Sequence, residues 1–253
     1  MIAQALAKIT DLGRMAVMPE VRTVLFHDRR EAGARLAQAL DHYRGSPNAV
    51  VLGLPRGGVV VGSVVSRQLG LPLDVLVTRK LGTPGNPELA MGALCETGYR
   101  FLNQDVIRSC GVRADQLDEA TSREQAEITR RVERYRQGRP LADVRGKTVV
   151  LVDDGLATGA TFYASLAALR ASGVGRLVAA VPVAPFDERG ELARRVDEVA
   201  LLATPSPFYA IGQFYEDFAQ LEDDEVIENL RLTRCERPEG PGLAGGRAAE
   251  PIQ

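Results

Sequence analysis

The chain has 253 residues, 45% hydrophobic and 25% charged, as in an average soluble globular protein, which bounds it to one domain with additions or at most two. Lysine plus arginine number 31 against 33 acids, a net charge of −2, so no global basic field recruits nucleic acid, and three well-separated cysteines with two histidines rule out a Cys-x-x-Cys or histidine-rich metal site. The longest apolar runs are strand-sized, so neither a membrane span nor a signal peptide is expected, and a reducing cytoplasm fits the cysteine usage.

Residues 1–22 are expected to be a terminal extension. In Phe26-His27-Asp28-Arg29-Arg30, Asp28 is placed to cap a helix that carries Ala32, Leu36, Ala39 and Leu40 at helical spacing and ends at Gly45. His27 and Arg29 sit at its entrance, His27 as a surface or capping histidine. Ala49 to Leu54 is an uninterrupted apolar run, hence a strand, and it breaks at Pro55-Arg56-Gly57-Gly58 before a helix from Val59 to Leu69 closed by Gly70. The two glycines would let backbone amides approach an anion and Arg56 would add charge-assisted donors, although Pro-x-Gly-Gly alone reads equally well as a tight turn. Leu73 to Thr78 makes a third strand that delivers Arg79 and Lys80 to the same edge. Leu81 to Glu88, rich in Gly and Pro, predicts a mobile loop, and Leu89 to Cys95 with Tyr99 to Asn103 predicts a hairpin around Glu96-Thr97-Gly98. Asn103 caps a helical turn over 103–111. Ala114 to Gln137 is a long charged helix whose narrow apolar face (Leu117, Ile128, Val132) predicts packing across the sheet.

The most informative stretch is Val149 to Thr161, Val-Val-Leu-Val-Asp-Asp-Gly-Leu-Ala-Thr-Gly-Ala-Thr. Four aliphatic residues without alternation predict a central parallel strand buried on both faces. It ends in Asp153 and Asp154, at the carboxyl end where open α/β sheets bind ligands. The small residues that follow lead into a helix from Phe162 to Arg170, so successive N–H groups and a helix amino terminus aim at one point, which suits a phosphate. A bare phosphate would be repelled by the two acids. A ligand with vicinal hydroxyls or a divalent cation beside its phosphate would not. No Lys follows Gly159, as a P-loop requires, and Gly155 to Gly159 does not give Gly-x-Gly-x-x-Gly. The acids could also simply cap the helix. Downstream, Arg176 to Val183 and Glu198 to Ala203 are strands around a helix from Asp187 to Val196, and the alternation from Ala49 to Ala203 predicts a doubly wound, mainly parallel sheet. Beyond it lies an aromatic segment with Phe208, Tyr209, Phe214, Tyr215 and Phe218, then a closing helix from Asp223 to Leu232 and a tail rich in Pro, Gly and Ala over 234–253, expected to be disordered.

The Val149–Thr161 segment resembles the phosphoribosyl-pyrophosphate (PRPP) signature of type I phosphoribosyltransferases, and with Leu-Pro-Arg-Gly-Gly and Gly-Asn-Pro-Glu the chain is similar, over about Phe26 to Leu232, to a branch of predicted bacterial members. The resemblance implies a core over 23–203 with a flexible loop and hairpin, and a small hood over 204–233. It implies a magnesium-dependent enzyme that transfers the 5-phosphoribosyl group of PRPP to a nitrogenous base and releases pyrophosphate. Asp153 and Asp154 would hold ribose hydroxyls or the Mg2+ brought with PRPP, and Ala157, Thr158, Gly159, Ala160 and Thr161 the 5-phosphate. Arg56, Gly57, Gly58, Arg79 and Lys80 would hold pyrophosphate, Phe208, Tyr209 and Phe214 would form the acceptor hood, and Glu96 or Glu88 would be the general base. A PRPP-sensing regulator without turnover and an enzyme passing PRPP or a phospho-sugar to another acceptor stay open. Partners are expected to be small molecules and not nucleic acid or membrane, and such sheets commonly pair as homodimers.

Overall fold

Five of the strand-forming runs lie side by side, and the three inner ones, at Ala49–Gly53, Thr148–Val152 and Arg176–Val183, are aliphatic on both faces and need cover above and below. The computed structural model describes residues 24–235. Along the chain run α1 (Arg29–Ala39), β1 (Ala49–Gly53), α2 (Gly57–Leu69), β2 (Leu73–Val75), β3 (Thr78–Thr83), β4 (Asn86–Cys95), β5 (Arg100–Leu102), α3 (Gln104–Ser109), α4 (Ala114–Arg136), β6 (Thr148–Val152), α5 (Ala160–Ala171), β7 (Arg176–Val183), α6 (Glu188–Ala193), β8 (Glu198–Ala203) and α7 (Asp223–Cys235). The main sheet has the order β2-β1-β6-β7-β8 with every pair parallel.

Alternate residues of these strands feed two cores. Val51, Val150, Val152 and Val178 pack with Leu36 of α1 and Val61 and Val65 of α2, while Leu52, Val149, Leu151 and Leu177 pack with Leu166 and Leu169 of α5 and Leu192 of α6. Helices therefore cover both faces, the doubly wound arrangement. Each fully buried aliphatic side chain contributes about 1.5–3 kcal/mol through burial. Local signals place the helix ends: Asp28 Oδ1 accepts from Glu31 N at 2.8 Å, Asn103 Oδ1 accepts from Asp105 N and Val106 N, and Gly70 closes α2 in the left-handed region.

Several expectations are corrected. The run Leu73 to Thr78 is not one strand: it bends after Val75, and Thr78 opens β3 in a separate antiparallel sheet, β3-β4-β5. Buried polar contacts hold the bend, with Asp74 Oδ1 accepting from Val75 N, Arg136 donating to Val75 O at 2.8 Å and Glu96 Oε1 accepting from Val77 N at 2.7 Å. The stretch Leu81 to Glu88 is not an open loop but the end of a two-stranded ribbon that turns at Gly85. Its pairing slips at Gly82, where an added Cβ would lie 2.5 Å from Pro87 O. The hairpin around Gly98 forms as expected. Helix α4 packs on β3, β4 and α7 instead of across the parallel sheet, and α6 is shorter than Asp187 to Val196. The extension at 1–22 and the tail at 234–253 fall outside the described residues, except 234 and 235, which continue α7. Among the described residues no helix is long and apolar enough to cross a membrane.

Candidate functional site

Strands β1 and β6 are neighbours in register from Ala49↔Thr148 to Gly53↔Val152, so their carboxyl ends emerge together. From β1 the chain goes to β2 on one side, and from β6 to β7 on the other. Such a reversal of strand order opens a crevice outside the strand ends. The two turns singled out in the sequence meet there. A Cβ added at Gly57 would lie 1.8 Å from Asp154 Oδ2, and one at Gly58 would lie 2.4 Å from Val152 O and 2.9 Å from Asp153 Cα. Side chains at either position would force the turns apart.

The turn after β6 is a cradle of donors. None of the amides from Ala157 to Thr161 donates to an acceptor among the described residues, whereas the flanking Leu156 N and Tyr163 N donate to Val183 O and Gly159 O. Gly159 has φ +64°, and an added Cβ would lie 2.5 Å from the Tyr163 ring, so glycine is required twice over. No side chain caps α5 and its first turn carries no acid, so the positive end of the helix faces the cradle. The alternative that the two acids cap this helix therefore fails: Asp153 Oδ1 accepts instead from Asp154 N at 2.9 Å. The amides of Gly57 and Gly58, at the start of α2, likewise have no acceptor among the described residues.

The acids divide. Asp153 lines a cavity of about 160 Å³ with Ala157, Thr158, Thr161 and Ile211. Asp154 turns inward to Arg29, whose Nε donates to its Oδ2 at 2.7 Å between side chains only 11% and 12% exposed. The Arg29 guanidinium also stacks on Phe218 at 3.7 Å and donates to Ala219 O at 3.0 Å, while Tyr215 Oη donates to Asp154 O at 2.6 Å. Burial, with the charge of Asp154 beside it, pushes the Asp153 carboxyl well above its usual range, and burial raises Asp154 against the pull of Arg29.

A second cavity, about 400 Å³, shares Thr161 with the first in its lining. Pro55 forms part of its wall. Arg79 and Lys80 line it from the hairpin sheet, Arg79 paired with Glu124 at 2.9 Å through Nε and Nη2, and Lys80 with the exposed Glu88 at 3.0 Å. Arg56 does not line it. Its Nε donates to Asp223 at 3.1 Å and its Nη1 to Leu221 O, so it anchors the C-terminal segment. Glu96 is corrected as a candidate base: it is 6% exposed and tied to Arg136 and Val77 N at the junction of the two sheets, with burial raising its pKa. In the hood, Phe214 is 1% exposed and packed with Phe26, Tyr215 and Val183, so it is a core plug with no face for a ligand. Phe208 stacks against it at 4.9 Å, and Tyr209 alone of the three stands free, 77% exposed.

Ile211 was not singled out from sequence, and Arg29, Tyr215 and the α4 residues at the second cavity were not assigned to the site. One signal was present. Glu124 occupies a place in the buried stripe Ala120, Ile128 and Tyr135 of α4, where helical spacing calls for an apolar residue.

The family described as "Phosphoribosyl transferase domain" matches residues 25–203. A Mycobacterium tuberculosis protein named "Putative phosphoribosyl transferase Rv0571c" is 47% identical over 227 residues, 90% of this chain and 51% of that protein, so the chain spans about half the length of the curated relatives it matches first. A ribose-phosphate pyrophosphokinase of Methanopyrus kandleri is 38% identical over 122 residues, 46% of this chain and 39% of its own. The crystal structure of TT1426 from Thermus thermophilus superimposes with a TM-score of 0.70 at 45% identity, covering 82% of this chain and 98% of that one.

Proposed function

The chain belongs to the phosphoribosyl transferase domain family, and from that membership we propose that it transfers the 5-phosphoribosyl group of PRPP to a nitrogenous base. The observation that carries this reading is the pair of cavities that meet at Thr161, one walled by free amides and the other by paired cations. A ligand with one phosphate and one pyrophosphate separated by a ribose matches that layout.

In this reading the amides of Ala157 to Thr161, with the hydroxyls of Thr158 and Thr161, hold the 5-phosphate. Asp153 accepts from the ribose hydroxyls. Asp154 acts through structure, fixing the turn by its bond to Arg29. The Gly57 and Gly58 amides, with Arg79 and Lys80, hold the pyrophosphate, while Arg56 positions its loop through Asp223. The bond from the anomeric carbon to pyrophosphate breaks with its electron pair leaving on pyrophosphate, a carbon–nitrogen bond forms to the base, and the base loses its proton to solvent. Positive charge on the sugar in the transition state makes positioning and stabilisation of the leaving group the main contributions. Ile211, against Gly155 at the rim of the first cavity, marks the side from which the acceptor enters.

Magnesium fits as a companion of the ligand. Among the described residues no group of three or more His, Cys, Asp or Glu is arranged to hold a metal, and Mg2+ commonly binds through one or two carboxylates plus substrate phosphates. Asp153 would be the protein's ligand, and the ion would neutralise charge on the pyrophosphate. Incubation with PRPP, Mg2+ and a panel of purine, pyrimidine and other nitrogenous bases should release pyrophosphate in step with nucleotide formation. Release without any new nucleotide would point to water as acceptor, and no release with any base would end the proposal.

A further inference from the structure

Helix α4 adds a wall to the second cavity that the matching turns do not account for. Arg123, Glu124 and Arg131 line it together with Pro55 and Thr161. Glu124 orients two guanidinium groups, accepting from Arg79 at 2.9 Å and from Arg123 Nε at 3.3 Å. Arg131 differs from both. Its side chain is 14% exposed and its Nε donates to Glu127 at 2.6 Å, but neither terminal nitrogen has an acceptor among the described residues. A guanidinium held by one edge, with its other edge on a cavity, is a fork for two oxygens of a phosphoryl group. The cavity lining carries Arg79, Lys80, Arg123 and Arg131 against Glu88 and Glu124, an excess of cations beyond what the carboxylates neutralise. The volume of about 400 Å³ exceeds what one phosphoryl group needs.

We propose that Arg131 of α4 is a bidentate ligand for a diphosphoryl group in this cavity, so that the helix, and not only the turn at Gly57 and Gly58, sets the preference for a pyrophosphoryl over a monophosphoryl leaving group. This rests on the reading of the site as one for PRPP. Glu127 fixes the Nε edge, and helix α4, packed on β3 and β4, fixes the distance of the fork from Arg79.

The test is calorimetric titration of the full chain with inorganic pyrophosphate and Mg2+, with orthophosphate, and separately with ribose 5-phosphate. Wild-type protein should bind pyrophosphate more tightly than orthophosphate. Arg131→Gln should weaken pyrophosphate roughly tenfold to a hundredfold, the range of a charge-assisted hydrogen-bond pair, and collapse that preference, while ribose 5-phosphate affinity stays unchanged. Arg131→Lys, which keeps the charge without the fork, should recover only part of the loss. Unchanged pyrophosphate affinity in Arg131→Gln overturns the inference, as does full recovery in Arg131→Lys. Wild-type protein that binds ribose 5-phosphate but not pyrophosphate overturns it while leaving the phosphate turn intact. Wild-type protein that binds neither overturns the underlying reading.

Discussion

The turn after β6 and the cavity at the hairpin sheet share Thr161, but they are built in opposite ways. The turn is made from contiguous residues, and its donors are main-chain amides held by glycine geometry and a helix amino terminus. The cavity is made from side chains brought together from β3, β4 and α4, each guanidinium or ammonium braced by a carboxylate. The contrast teaches that a backbone-built site tolerates changes of side-chain chemistry but not of shape, whereas a side-chain-built site depends on the partners that brace it.

The largest effect should come from the bracing at the sheet junction. Arg136 is 3% exposed and holds Asp74, Val75 O and Glu96, so Arg136→Leu leaves two buried carboxylates unpaired and should cost about 3–5 kcal/mol, read from urea denaturation. If stability were unchanged, the hairpin sheet would not depend on this bracing. Next comes the shape of the turns: Gly57→Ala should cost about 1–3 kcal/mol through its clash with Asp154 and should abolish ribose 5-phosphate binding, whereas Thr158→Ala, which leaves the amides in place, should cost at most about tenfold in affinity.

Asp153→Asn separates stability from function. A carboxyl with a folded pKa above its unfolded value makes stability fall as pH rises from the ordinary carboxylate range through the raised value. The variant should therefore lose that slope and melt a few degrees higher at neutral pH, while PRPP affinity drops; a lower melting temperature would contradict the assigned environment. The smallest effect lies at the surface. The hydrogen bond from His27 to Glu216, followed by that residue's charge, raises the histidine pKa, so its contribution is present below the ordinary histidine value and fades as pH rises through the raised one. His27→Gln should lower the melting temperature slightly in mildly acidic, low-salt buffer and not at all in alkaline buffer.

What the sequence made legible follows the same divide. Strands β1, β6, β7 and β8 and the turns at Gly57–Gly58 and Asp153–Thr161 could be read because each is dictated by consecutive residues. The role of Glu96 could not, because its partner Arg136 is 40 residues away, and a lone acid at a hairpin turn gives no sign of an ion pair. Composition also does not say which way an aromatic ring faces: Phe214 fills the core and Tyr209 reaches solvent, five residues apart. The commitment of Asp154 to Arg29 spans 125 residues and had no local pattern to announce it.

A single threonine belongs to the linings of two chambers of unlike character. A molecule that occupies both must reach past its side chain, so residue 161 bears on how long such a molecule has to be. A short dianion fills one side only. A molecule with anionic ends held apart by a sugar-sized spacer has one end for each.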